Sequence, residues 1–155
     1  MLWRDWISKR YVDRAEEERP EFRDGATPER LAKLETELGL PLPASLRELL
    51  LESDGVDLWM YCQNNWFKYL TVVWSCDQIL EKNRSLNNDP QGPGRPPDMA
   101  PPLFFANPGV DGVLFAVLVN ASSPADPAVY AYSPMEHEWE IQAPSLKDHL
   151  HGWVG

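Results

Sequence analysis

Apolar positions recur along the chain with two different periods, and the change of period divides it. From Leu2 to about Glu18, residues Trp3, Trp6, Ile7 and Tyr11 fall at spacings of three and four, which predicts an amphipathic helix with an aromatic face. Pro20 stops that helix, and Asp24-Gly25 marks a turn. The next segment carries its own punctuation. Thr27 is an N-cap candidate, Pro28 suits the first helical position, and Leu31, Leu34 and Leu38 share one face. Gly39 then stands where a left-handed C-cap belongs. The step Leu40-Pro41-Leu42-Pro43 cannot continue the helix, so Leu46, Leu49 and Leu50 mark a second one, closed by Asp54-Gly55. So short a connection predicts that the two helices pack together.

After Gly55 the pattern turns extended. Val56–Cys62 and Leu70–Trp74 are rich in branched and aromatic residues, with Gln63-Asn64-Asn65 as a turn between them. Ser75 and Gln78 fit a capping box opening a helix that carries Ile79 and Leu80. A tract from about 87 to 102 holds six prolines and two glycines, and is expected to be a surface loop. Strands follow at Leu103–Ala106, Val113–Val119, Ala128–Tyr132 and His137–Gln142. The unbroken apolar run Val113–Val119 is expected to be central. In the last strand Trp139 and Ile141 point one way and Glu138 and Glu140 the other. Pro144-Ser145 opens a final helix with Leu146, Leu150 and Trp153 inward. The expected architecture is α+β: an antiparallel sheet of about five to six strands, with helices mainly from the N-terminal half and one C-terminal helix.

Length and composition narrow the class. A chain of 155 residues, 43% hydrophobic and 25% charged, is expected to form a single domain over 1–155. Two cysteines, Cys62 and Cys76, do not make a disulfide scaffold. The longest apolar run is strand-sized, and Arg4, Asp5, Lys9 and Arg10 break any signal-peptide pattern, so a soluble, cytoplasmic protein is expected.

Charge says more. The net charge is −10, and it is unevenly placed. Residues 1–25 are nearly balanced, with six basic and seven acidic groups. Residues 101–155 have Lys147 alone against Asp111, Asp126, Glu136, Glu138, Glu140 and Asp148. Such a field repels nucleic acid and anionic membranes and favours a cationic partner. Acidity serving only solubility is the plain alternative.

Reactive constellations are missing from the sequence. There is no G-x-S-x-G elbow and no phosphate-binding glycine loop, and Gly92-Pro93-Gly94 lacks the flanking strand and helix of a dinucleotide fingerprint. His149 and His151 would sit about 200° apart on a helix and cannot share an ion, while His137 lacks H-E-x-x-H spacing. No catalytic residue, metal site or cofactor is expected. The cysteines are read as structural thiols, and the N-x-S matches at Asn83 and Asn120 as chance.

Of seven tryptophans, Trp3, Trp6, Trp74, Trp139 and Trp153 fall on apolar faces and are read as core. Trp59 and Trp66 flank the polar turn at 63–65, with Tyr61 and Tyr69 nearby. They form either a contact patch or further core.

The run Leu31-Ala32-Lys33-Leu34-Glu35-Thr36-Glu37-Leu38-Gly39, the step Leu42-Pro43, the helix through Leu49-Leu50 and the turn Asp54-Gly55 resemble the opening of the SUKH superfamily. That superfamily contains the fungal Smi/Knr cell-wall regulators and many bacterial immunity proteins. The strands after Leu103 and the closing helix from Ser145 agree with it more loosely. The Pro-rich tract departs from the pattern, being longer than a connection needs, and the Trp3/Trp6 helix is not marked by it. The resemblance implies binding rather than turnover: an immunity protein or antitoxin that neutralises a cognate toxin domain, often a nuclease. The alternative is a non-catalytic cytosolic scaffold or regulatory interaction domain. With the charge pattern, the expected contact residues are Asp111, Asp126, Glu136, Glu138 and Glu140, with Tyr61 and Trp66 as aromatic anchors.

Overall fold

The computed structural model describes residues 2–88, 101–108, 112–119 and 125–154. Helix α1 spans Trp3–Tyr11 and runs into a short 3-10 turn, Val12–Arg14. Strand β1 follows at Glu18–Phe22, a segment expected to be helix end and turn. It pairs antiparallel with β2 (Val56–Cys62), placing Pro20 opposite Leu58. Proline is tolerated there because β1 is the sheet's edge, where one row of backbone groups is unpaired in any case. Helix α1 carries no side-chain cap of its own. Instead the Glu52 carboxylate accepts from the Trp3 and Arg4 N–H groups at 2.8 and 2.9 Å, which ties the start of α1 to the last residue of a helix over Ala44–Glu52.

Helices α2 (Pro28–Leu38) and α3 (Ala44–Glu52) form as their sequence signals dictate. The Thr27 hydroxyl accepts from the Arg30 N–H at 3.1 Å, and Gly39 adopts φ +70° and donates to the Glu35 carbonyl. An ion pair between Arg47 and Glu35 joins the two helices. Strands β2 and β3 (Asn65–Val73) make a hairpin through Gln63 and Asn64, both at positive φ, the backbone a tight two-residue turn needs. Helix α4 (Cys76–Asn88) opens with the expected reciprocal box. The Ser75 N–H donates to the Gln78 side-chain oxygen at 3.0 Å, and the Gln78 N–H to the Ser75 hydroxyl at 3.3 Å. Of the expected Pro-rich loop, residues 89–100 lie outside the described residues.

Four antiparallel strands follow, β4 (Pro102–Ala106), β5 (Leu114–Leu118), β6 (Val129–Ser133) and β7 (Glu138–Ala143), in that spatial order. Helix α5 (Leu146–Val154) closes the chain. The α+β class stands as expected. The strands, however, number seven among the described residues and fall into sheets of three and four, where one sheet of five to six was expected. The extra strand is β1. The sheets touch where Thr71 bridges Asn107 and the Trp74 N–H donates to the Phe105 carbonyl at 2.8 Å. Beside that junction the buried Asp57 carboxylate accepts from the Arg23 guanidinium at 3.0 Å and the Thr71 hydroxyl at 3.2 Å.

One cluster of buried side chains runs through both sheets, from Trp3, Ile7 and Tyr11 to Leu146 and Leu150. Central β5 buries Phe115, Ala116 and Val117, which explains its continuous apolar run. Asn83 of α4 is buried as well. Its amide donates to the Phe104 carbonyl at 2.8 Å and its oxygen accepts the Phe104 N–H at 3.0 Å, so a side chain satisfies a strand backbone.

Candidate functional site

The period-two alternation of β7 sets Glu138, Glu140 and Gln142 along one face of the strand. Across the ladder Ser133 faces Glu138, Ala131 faces Glu140, and Phe115 faces Ala131. The tight turn between β6 and β7, with His137 at φ +54°, carries Glu136 toward the same face. These residues, with Val113 and Pro108, line a groove of about 270 Å³. It combines apolar side chains with three carboxylates, and no basic residue lines it among the described residues. Glu136, Glu138 and Glu140 are all exposed and enter none of the ion pairs among the described residues. On the opposite face Trp139 packs on Phe104 and Tyr132, with ring centroids at 5.7 and 4.9 Å. Ile141, expected to turn inward with Trp139, is instead 64% exposed at the end of the sheet.

The remaining expected contact residues divide between two other places. Asp126 lies apart from the groove, in a shallow depression of about 210 Å³ with Trp3, Ser45, Glu48 and Lys147. Its carboxylate accepts the Leu146 N–H at 2.7 Å, so it caps the start of α5. Asp111 lies outside the described residues. Tyr61 and Trp66 do meet: they are cross-strand partners in the β2–β3 hairpin, with ring centroids 5.3 Å apart. The Arg19 guanidinium lies 4.2 Å over the Trp66 ring, and the Tyr61 N–H donates to the Glu17 carbonyl at 2.8 Å.

Three large side chains at this hairpin, two of them on its other face, were missed from sequence. Met60 and Phe67 are exposed and form the adjacent cross-strand pair, and Arg19 arrives from the unforeseen β1. The alternation of Met60 with Tyr61, and of Trp66 with Phe67, was the available signal that both hairpin faces carry large side chains. Six residue steps along β3 lead from Asn65 to Thr71 at the sheet junction, a span of about 20 Å. The aromatic tip belongs to the three-stranded sheet and the acidic groove to the four-stranded one, with no lining residue in common, so they are distinct patches.

Groups with reactive potential are held inert or apart. Burial, followed by hydrogen bonding to Asp54, pushes the Cys76 thiol up to about 12. Its own N–H donates to the Asp54 carboxylate at 2.7 Å, another helix cap. Cys62 is exposed on the hairpin. His149 is 3% exposed between Phe105 and Phe115, and desolvation lowers its pKa to about 4. His151 faces outward on α5, where Arg10 meets its ring at 2.6 Å. Among the described residues no group of three or more His, Cys, Asp or Glu side chains is placed to hold a metal ion. None of their helices is long and apolar enough to cross a membrane.

No curated protein sequence matches the chain. The pattern of the SMI1/KNR4 family (SUKH-1) matches residues 25–152, which begin just before α2 and run into α5. Helices α2 and α3, the capped α4, and both sheets except β1 fall within that match, so the protein belongs to the SMI1/KNR4 family (SUKH-1).

Proposed function

We propose that the protein is an immunity protein that binds a cognate bacterial toxin domain and neutralises it by contact, without turning over a substrate. The observation that carries this reading is the groove on β5–β7: Glu136, Glu138 and Glu140 stand beside apolar side chains, with no basic residue lining it among the described residues. Unpaired carboxylates at a surface favour a cationic partner and raise its rate of encounter. A nuclease toxin suits that chemistry, because a site that holds phosphate is itself cationic. The half-buried Val113 and Ala131 offer apolar area to bury. Tyr61 and Trp66, at the tip of the other sheet, supply a second, aromatic contact surface. Membership of a family with immunity-type members supports a protein partner over a small molecule.

The test is co-expression of the tagged protein with the toxin domain encoded beside its gene. The expected outcome is co-purification and restored growth, with association weakened by salt. Association insensitive to salt moves the binding energy to the aromatic hairpin. Failure to bind any neighbour-encoded domain refutes the reading and leaves a regulatory interaction module as the alternative.

A further inference from the structure

We propose that the partner segment entering the groove does so as an added β-strand on the edge of β7 that no described strand pairs, and that it alternates cationic with apolar residues. This deepens the groove reading and rests on it. Strand β7 pairs with β6 on one side, and no described strand pairs with it on the other. An open edge presents a row of backbone donors and acceptors that another strand can complete. The opposite end of the fold differs. Edge strand β1 carries Pro20, which removes a donor, whereas β7 contains no proline.

The pleat of β7 dictates what the added strand must look like. Glu138, Glu140 and Gln142 project on the groove face, and Ile141 projects, 64% exposed, on the other. A neighbouring strand aligned with β7 places its own side chains alternately on those two faces. Cationic side chains meet Glu138 and Glu140, and apolar ones meet Ile141. A second copy of this chain does not fit. Pairing β7 with β7 sets the glutamates of one copy against those of the other, and like charges opposed across strands are destabilising. The same two residues thus discourage self-pairing and favour a basic strand.

The probe is a short peptide of alternating arginine and valine, titrated against the full chain while amide hydrogen exchange is followed. Two further versions carry N-methyl groups along one or the other backbone edge. The expected result is slowed exchange within 138–142 and an affinity lowered about tenfold by methylation of one edge but not the other. Equal binding by both methylated peptides, still weakened by Glu138→Gln and Glu140→Gln, overturns strand addition and leaves the acidic groove standing. Binding indifferent to those two substitutions removes the groove reading as well. Absence of saturable binding by the unmodified peptide overturns the proposal.

Discussion

At the scale of the residue, buried polar groups give the sharpest expectations. His149 takes up a proton only near pH 4 when folded, against 6.5 as the ordinary value. Between those values the unfolded chain binds a proton that the folded one does not. The contribution of His149 is therefore intact above pH 6.5 and is lost progressively as pH falls toward 4, by about 3 kcal/mol in all. Urea unfolding of the protein and of His149→Leu across that window checks this: the acid loss specific to His149 should vanish in the variant. Asn83 is a second case. Removing its amide with Asn83→Ala leaves the Phe104 N–H and C=O without their side-chain partner, at a cost of about 2–4 kcal/mol in the same measurement. Its burial also explains why the N-x-S match at that position is no acceptor site in the folded chain.

At the scale of the element, local signals and long-range pairing fared differently. Caps at Thr27, Gly39 and Ser75/Gln78 involve residues three or four apart, so α2 and α4 were legible from the sequence. The four C-terminal strands were legible because alternation and turn residues frame each one. Strand β1 was not, since its hydrogen-bond partners lie in β2, some forty residues away, and Pro20 argues locally against a strand. The cap of α1 escaped for the same reason: Glu52 is distant in sequence from Trp3 and Arg4. Glu52→Ala should lower stability by about 1 kcal/mol and speed proteolysis before Tyr11, as read by urea unfolding and limited digestion. Of the site, Glu138 and Glu140 could be placed on one face from strand period alone. That Glu136 would join them depends on the His137 turn, and that Asp126 would instead cap α5 depends on a tertiary contact.

At the scale of the whole molecule, charge is segregated by position in the fold. The N-terminal basic residues are largely engaged: Arg14 pairs with Glu18, Arg23 with Asp57, Arg30 with Asp77, and Arg4, Arg10 and Arg19 lie over aromatic rings. The groove glutamates have no comparable neighbours among the described residues, so their field reaches solvent. Replacing Glu136, Glu138 and Glu140 with glutamine is therefore expected to leave thermal stability unchanged while slowing association with a cationic partner. The most direct measurement is the affinity of the protein and of this triple variant for the toxin domain encoded beside its gene, at low and at high salt. The expected result is tight binding by the parent that weakens with salt, and weaker binding by the variant with a shallower salt dependence. Equal affinities with equal salt dependence would contradict a role for the acidic groove in neutralising that partner.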